Sequence, residues 1–125
     1  MFKKITTAFI ATLLLGLSFG AAADPVTLVF TCKLNDGKTK EEVMAVNAKW
    51  LKWARETAGT DEITSSYVTT VIGDFENFMW VDNYPSATAW ATLSDAGPQF
   101  DAEFDALSTC SGNRMYRGEE TVAAK

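Results

Sequence analysis

The sequence predicts an α+β fold of the split βαβ type, in which a four-stranded antiparallel sheet carries helices on one face. In four segments apolar residues alternate with a period of two, which predicts strands. In the segments that separate them apolar residues recur every three or four positions, which predicts helices, so the order is β-α-β-β-α-(α)-β. The 125 residues suit one domain, and 47% apolar with 22% charged residues is a globular composition. Cys32 and Cys110 fall near the end of the first strand and the start of the last, which are neighbours in this fold.

The first half of the folded region contains a strand and a long helix. Residues 26–33 alternate Val, Leu, Phe and Cys with Thr, Val and Thr, as a strand with a buried face does. Thr39 and Glu42 form a capping box at the start of a helix that is predicted to run to about Thr57, with Gly59 as its C-terminal cap. The apolar stripe of this helix consists of Val43, Val46, Trp50, Trp53 and Thr57.

The second half is predicted to contain three strands and two helices. Gly73-Asp74 favours a turn between two strands, and Ser86 is a helix N-cap. Gly97-Pro98 ends that helix. The elements are strands at 63–72, 76–84 and 113–119, one helix between Ser86 and Gly97, and a short helix at 99–109.

Residues 1–23 have the pattern of a secretory signal peptide. Lys3 and Lys4 precede an apolar run at 5–20, and Ala21-Ala22-Ala23 is a small-residue cleavage pattern. The alternative is an uncleaved anchor helix. Cleavage after Ala23 would leave one domain, 24–125, in the periplasm or secreted, with no membrane segment. Loss of the two lysines changes the formal net charge from −5 to −7, which argues against nucleic-acid binding.

The two cysteines predict a disulfide. In an exported protein, two cysteines far apart in sequence and without neighbouring ligand residues are typical of a bridge. The alternatives are two buried thiols or a bridge between chains. The sequence contains no histidine, so a metal would lack its commonest ligand and a thiol would lack an imidazole base. We therefore expect no metal site.

A local motif resembles a known superfamily. The strand Phe78-Met79-Trp80-Val81-Asp82-Asn83-Tyr84 and the following Ser86-x-x-x-Trp90 helix are similar to a passage of the dimeric α+β barrels, which include antibiotic-biosynthesis monooxygenase-like and stress-responsive barrel domains. The resemblance implies a ferredoxin-like unit that pairs with a second copy, so that two sheets form a barrel. Enzymes of this group often use histidine as a haem ligand or acid–base group. Its absence here argues against haem degradation, and we expect no cofactor.

Four residues of adjacent strands are candidates for a ligand site. Trp80, Asp82 and Tyr84 share one face of their strand because strand side chains alternate, and Tyr67 lies on the neighbouring strand. They can line an aromatic pocket with one carboxylate that orients a small hydrophobic or aromatic molecule. The alternative is ordinary sheet packing, with Asp82 at a solvated strand end.

Other residues are weaker candidates. Arg114 can hold an anionic ligand, but in an acidic chain a basic residue usually balances surface charge. Trp50 and Trp53 are expected in the core, and Asn47 lies one position past the apolar stripe, where solvent or the helix edge is expected.

Three classes of function remain open. The first is an exported barrel domain that binds a small molecule. The second is a cofactor-independent monooxygenase-like enzyme, which the resemblance suggests and which would need Asp82 or Tyr84 as a proton acceptor. The third is a structural or interaction domain that only dimerises. The sequence does not decide whether the protein is an enzyme, and we take the binding domain as the primary hypothesis.

Overall fold

The computed structural model describes residues 24–125, so the predicted signal peptide lies outside the described residues. The elements are β1 (Val26–Leu34), α1 (Lys40–Ala58), β2 (Thr64–Thr69), β3 (Phe78–Tyr84), α2 (Ala87–Asp95), α3 (Asp101–Leu107) and β4 (Ser108–Arg117). Within the described part of the chain, no helix has the length and apolar character needed to span a bilayer.

The four strands form one antiparallel sheet in the order β2-β3-β1-β4. In β1, Val26, Leu28 and Phe30 contact the helices, as do Trp80 and Tyr84 of β3. The helices therefore cover one face of the sheet. The predicted α+β fold with a four-stranded antiparallel sheet is confirmed.

The helix α1 begins and ends as the sequence predicts. The Thr39 hydroxyl accepts a hydrogen bond from the Glu42 amide at 3.2 Å, and the Glu42 carboxylate accepts one from the Thr39 amide at 2.8 Å. At the other end Gly59 has a φ of 68°, a left-handed conformation that glycine adopts without a steric penalty.

The connection between β2 and β3 is longer than predicted, because β2 ends at Thr69 rather than at Ile72. The Asp74 carboxylate accepts hydrogen bonds from the Glu76 amide and from the Asn77 side chain, and this turn occupies the residues that further strand pairing would need. Val71, Ile72 and Phe75 consequently lie exposed in the loop.

The last strand starts earlier than predicted, at Ser108 instead of Asn113, and α3 is shorter than the predicted 99–109. The Ser108 hydroxyl still donates to the carbonyl oxygen of Phe104 at 3.3 Å, although its backbone is already extended. The chain thus passes from helix to strand without an intervening loop. A β-bulge between Thr31 and Cys32 shifts the register of β1 and β4, and the two strands stay paired on both sides of it.

The predicted disulfide joins the strands β1 and β4. Cys32 and Cys110 are direct partners across these strands, with their Cα atoms 3.9 Å apart. Cys32 is buried among Val43, Phe78 and Trp80, whereas Cys110 is exposed. The bridge therefore ties a core position of the central strand β1 to the edge strand β4.

No helix formed by residues 24–125 covers the other face of the sheet. It presents the side chains that alternate with the core residues, among them the half-buried Val29, Val68, Met79 and Val81. Arg114 pairs with Val29 and lies on this open face, whereas Met115 pairs with Leu28 on the helix side. The open face therefore has an apolar centre.

Candidate functional site

A cavity of about 420 Å³ lies between the sheet and the helices. Side chains of β1, β3 and β4 line it on the sheet side, and α1, α2 and α3 line it on the helix side. Gly97 has a φ of 91° in the connection from α2 to α3, and the residues around it, 97–99, also line the cavity. This volume suits a small organic molecule.

Eight of the residues that line the cavity are aromatic. The chain contains four tryptophans, and all of them line this one cavity. The Trp53 ring packs at 5.7 Å from the ring of Phe100, and the Trp80 ring lies 6.3 Å from that of Phe104. The aromatic lining consists of Phe30, Trp50, Trp53, Trp80, Tyr84, Trp90, Phe100 and Phe104.

Asp82 is the buried acidic group of the cavity, with only 5% of its surface exposed. The Ser65 hydroxyl, directly opposite on β2, donates to Asp82 Oδ1 at 2.5 Å. Asn47 Nδ2 of α1 in turn donates to the Ser65 Oγ at 3.0 Å. This relay fixes one carboxylate oxygen, while Oδ2 receives no hydrogen bond from any residue within 24–125.

Burial changes the protonation of two neighbouring groups. It raises the pKa of the Asp82 carboxyl to about 6, and the hydrogen bond from Ser65 opposes part of that rise. Burial, and secondly the charge of Asp82, raises the pKa of the Tyr84 hydroxyl far above its usual value. Near neutral pH, Asp82 can therefore accept a proton, and Tyr84 stays a neutral hydrogen-bond donor.

Trp80 carries a second unsatisfied polar group. Its indole Nε1 is buried and has no hydrogen-bond acceptor within the described residues. The ring is held edge-on by Tyr67 at 5.3 Å and by Phe78 at 5.6 Å. The indole is therefore fixed in place by its aromatic neighbours, beside a buried carboxylate with a free oxygen.

The candidate residues from the sequence are divided between two faces of the sheet. Trp80, Asp82 and Tyr84 lie together in the cavity, on the shared face that alternation predicts. Tyr67 does not line the cavity, but it stacks on Phe78 at 4.3 Å and contacts Trp80. Arg114 lies on the open face, on the opposite side of the sheet.

Several lining residues had no functional role in the sequence analysis. Trp50 and Trp53, expected in the core, are half-buried and line the cavity. Asn47, expected at the solvent or the helix edge, is half-buried and holds Ser65. The concentration of four tryptophans in so short a chain was the available signal, because aromatic residues are favoured lining groups of small-molecule sites.

Among comparisons with known proteins, the one with solved structures shows similarity of fold. No protein-family model and no curated protein sequence matches the chain. Among solved structures, SnoaB, a cofactor-independent oxygenase from Streptomyces nogalater, is similar with a TM-score of 0.59 and 16% identity, over 82% of this chain and 100% of that one. A conserved protein of unknown function from Bacteroides thetaiotaomicron gives 0.54 and 10%, over 78% and 100%.

A third similar structure is that of At3g17210 from Arabidopsis thaliana, with a TM-score of 0.53, 12% identity and coverage of 80% of this chain and 99% of that one. At such identities the similarity establishes the fold. The described chain is a ferredoxin-like α+β domain with a four-stranded antiparallel sheet, and it shares this fold with these structures.

Proposed function

We propose that the protein binds a small aromatic or hydrophobic molecule in the cavity between its sheet and its helices. The observation that carries the proposal is the lining: all four tryptophans surround a space of about 420 Å³ that contains a buried carboxylate with one unpaired oxygen. A structural core would fill this space with side chains, since interiors are close-packed. Aromatic walls with few polar groups are typical of small-molecule sites.

A fluorescence titration tests this proposal. N-phenyl-1-naphthylamine, an uncharged dye that brightens in apolar surroundings, is expected to bind wild-type protein and to quench tryptophan emission. Trp53→Ala removes one aromatic wall and should weaken binding about five- to tenfold, since a ring contact contributes about 1 to 1.5 kcal/mol. Val29→Ala, on the open face, is the matched control and should bind as wild type does. Equal weakening in both variants, or no binding, would refute the cavity as the site.

An oxygenase activity is a second candidate, supported by the fold similarity to SnoaB and by Asp82. In a cofactor-independent oxygenation of a phenol to a quinone, the protein removes a proton from the substrate and the phenolate passes electrons to O2, which is the oxidant. One oxygen atom of O2 replaces a ring hydrogen as the new carbonyl oxygen, and the other leaves as water. Asp82 has a pKa of about 6 and a free oxygen at the cavity, so it can take that proton. O2 uptake in the presence of phenolic aromatic compounds tests this candidate, and uptake that persists in Asp82→Asn would exclude Asp82 as the base.

We further propose that the protein is exported and acts as a homodimer. The disulfide supports an oxidising compartment, where such bridges persist. The apolar centre of the open face supports pairing of two sheets, as the superfamily resemblance implies. Native mass spectrometry of protein secreted by its host should give twice the mass of a chain that begins at Asp24. A monomer would contradict the proposed homodimer. A chain that retains residues 1–23 would contradict the proposed export with cleavage.

A further inference from the structure

The charges at the cavity have one sign. Three charged residues line it, and all of them are acidic: Asp82 on β3, and Asp101 and Asp105 on α3. No lysine or arginine lines the cavity in the part of the chain that the structure describes. A site of this kind repels anions and attracts cations, because solvent ions poorly screen the buried Asp82 carboxylate and the exposed Asp101 and Asp105 add charge of the same sign at the cavity.

The aromatic wall favours the same sign of charge. The indole rings of Trp50, Trp53 and Trp90 line the helix side of the cavity, each on α1 or α2. The face of an aromatic ring carries negative electrostatic potential, and tryptophan binds cations best among the aromatic side chains. Several rings around one space are the arrangement that recognises quaternary ammonium groups.

Asp82 has no counter-charge beside it among residues 24–125. Leu28 of β1 and Ser65 of β2 flank it across the sheet, and Asn47 approaches from α1 through Ser65; none of these residues is charged. On its own strand the nearest titratable group is Tyr84, and α2 contributes no titratable side chain to the cavity. A buried carboxylate with no cation beside it costs free energy, and a cationic ligand would remove that cost.

We propose that the cavity is selective for organic cations, such as aromatic quaternary ammonium compounds or protonated amines, over neutral and anionic molecules of the same shape. This inference rests on the proposed binding function and gives it a ligand class. The cation would lie against the tryptophan faces with its charge near Asp82 Oδ2. Arg114 takes no part, because it lies on the other side of the sheet.

A pair of isosteric compounds tests the selectivity. Phenyltrimethylammonium and tert-butylbenzene differ in one atom and in charge, and neither absorbs at the wavelength that excites tryptophan selectively. At pH 8 the cation should quench the emission of wild-type protein with an affinity about tenfold above that of the isostere. Between pH 8 and pH 5 the affinity for the cation should fall about tenfold as Asp82 is protonated, and that for the isostere should not change.

Two variants separate the contributions, after circular dichroism has shown that both are folded. Asp82→Asn should abolish the fall in affinity for the cation between pH 8 and pH 5. The double variant Asp101→Asn with Asp105→Asn should keep that fall, even if its affinity at pH 8 differs from that of wild type. If both compounds bind equally at every pH, the cation selectivity is refuted and the binding function stands. If neither compound nor the naphthylamine dye binds, the binding function itself fails.

Discussion

Replacing both cysteines, as in the variant C32A/C110S, is expected to lower the free energy of unfolding by about 4 kcal/mol. The bridge joins residues 78 apart in sequence, and a closed loop of that length removes much of the conformational entropy of the unfolded chain. Alanine suits position 32 because Cys32 is buried, and serine suits position 110 because Cys110 is exposed. The measurement is urea-induced unfolding, followed by tryptophan emission.

A reductant provides the internal control for this prediction. Dithiothreitol should bring wild-type protein to the stability of C32A/C110S and should leave the variant unchanged. Mass spectrometry after thiol alkylation verifies that the bridge has been reduced. Wild-type protein that keeps its full stability with two alkylated thiols would show that the bridge does not support the fold.

The variant Asp82→Asn is expected to be more stable than wild type at pH 8 by about 3 kcal/mol. The folded-state pKa of Asp82, about 6, lies above the ordinary value of 3.8, so between these two values the folded protein binds the proton that the unfolded chain releases. Stability therefore falls as the pH rises from about 4 to about 6 and stays lowered above that, by an amount that this pKa difference sets. Asparagine avoids the buried charge and keeps an oxygen for the Ser65 hydroxyl.

The comparison of two pH values isolates the effect of Asp82. At pH 3.5 the carboxyl is protonated in the folded protein, so wild type and Asp82→Asn should unfold at nearly the same urea concentration. Asp105→Asn changes an exposed carboxylate and should shift stability by less than about 0.5 kcal/mol at both values. A gain from Asp82→Asn of equal size at pH 3.5 and pH 8 would contradict a raised pKa.

A measured gain of this size would support the proposal that the charge of Asp82 serves function rather than folding. Near neutral pH the folded protein bears the cost of a buried carboxylate that asparagine would avoid. Such a cost is typical of binding and catalytic sites, where a group is held ready for a ligand or a proton. The stability measurement thus tests the cost of the Asp82 charge for folding, and the ligand measurements test its contribution to binding.

Local sequence signals predicted most of the fold. The Thr39–Glu42 capping box specified the start of α1, and alternation correctly placed Trp80, Asp82 and Tyr84 on one face. These features were predictable because each depends on residues close together in the chain, or on the two-residue period of a strand.

The cavity was not predictable in the same way. Trp50 and Trp53 belong to the apolar stripe of α1, but helical periodicity cannot distinguish a stripe residue packed on the sheet from one that faces a space. The link from Asn47 to Ser65 depends on contact between α1 and β2, which only the folded chain provides. The end of β2 was missed because hydrogen bonds of the Asp74 side chain form the turn that follows it. The strand propensity of the preceding residues does not indicate those bonds.

The most direct test of the proposed binding site uses the four indole N–H signals of the nitrogen–proton correlation spectrum, because all four tryptophans line the cavity. Titration with 2-naphthol at pH 7 should shift these signals with one common dissociation constant and leave the backbone amides of Val29 and Val81, on the open face, in place. Shifts confined to the open-face amides, or indole signals that do not move up to the solubility limit, would contradict a ligand site between sheet and helices.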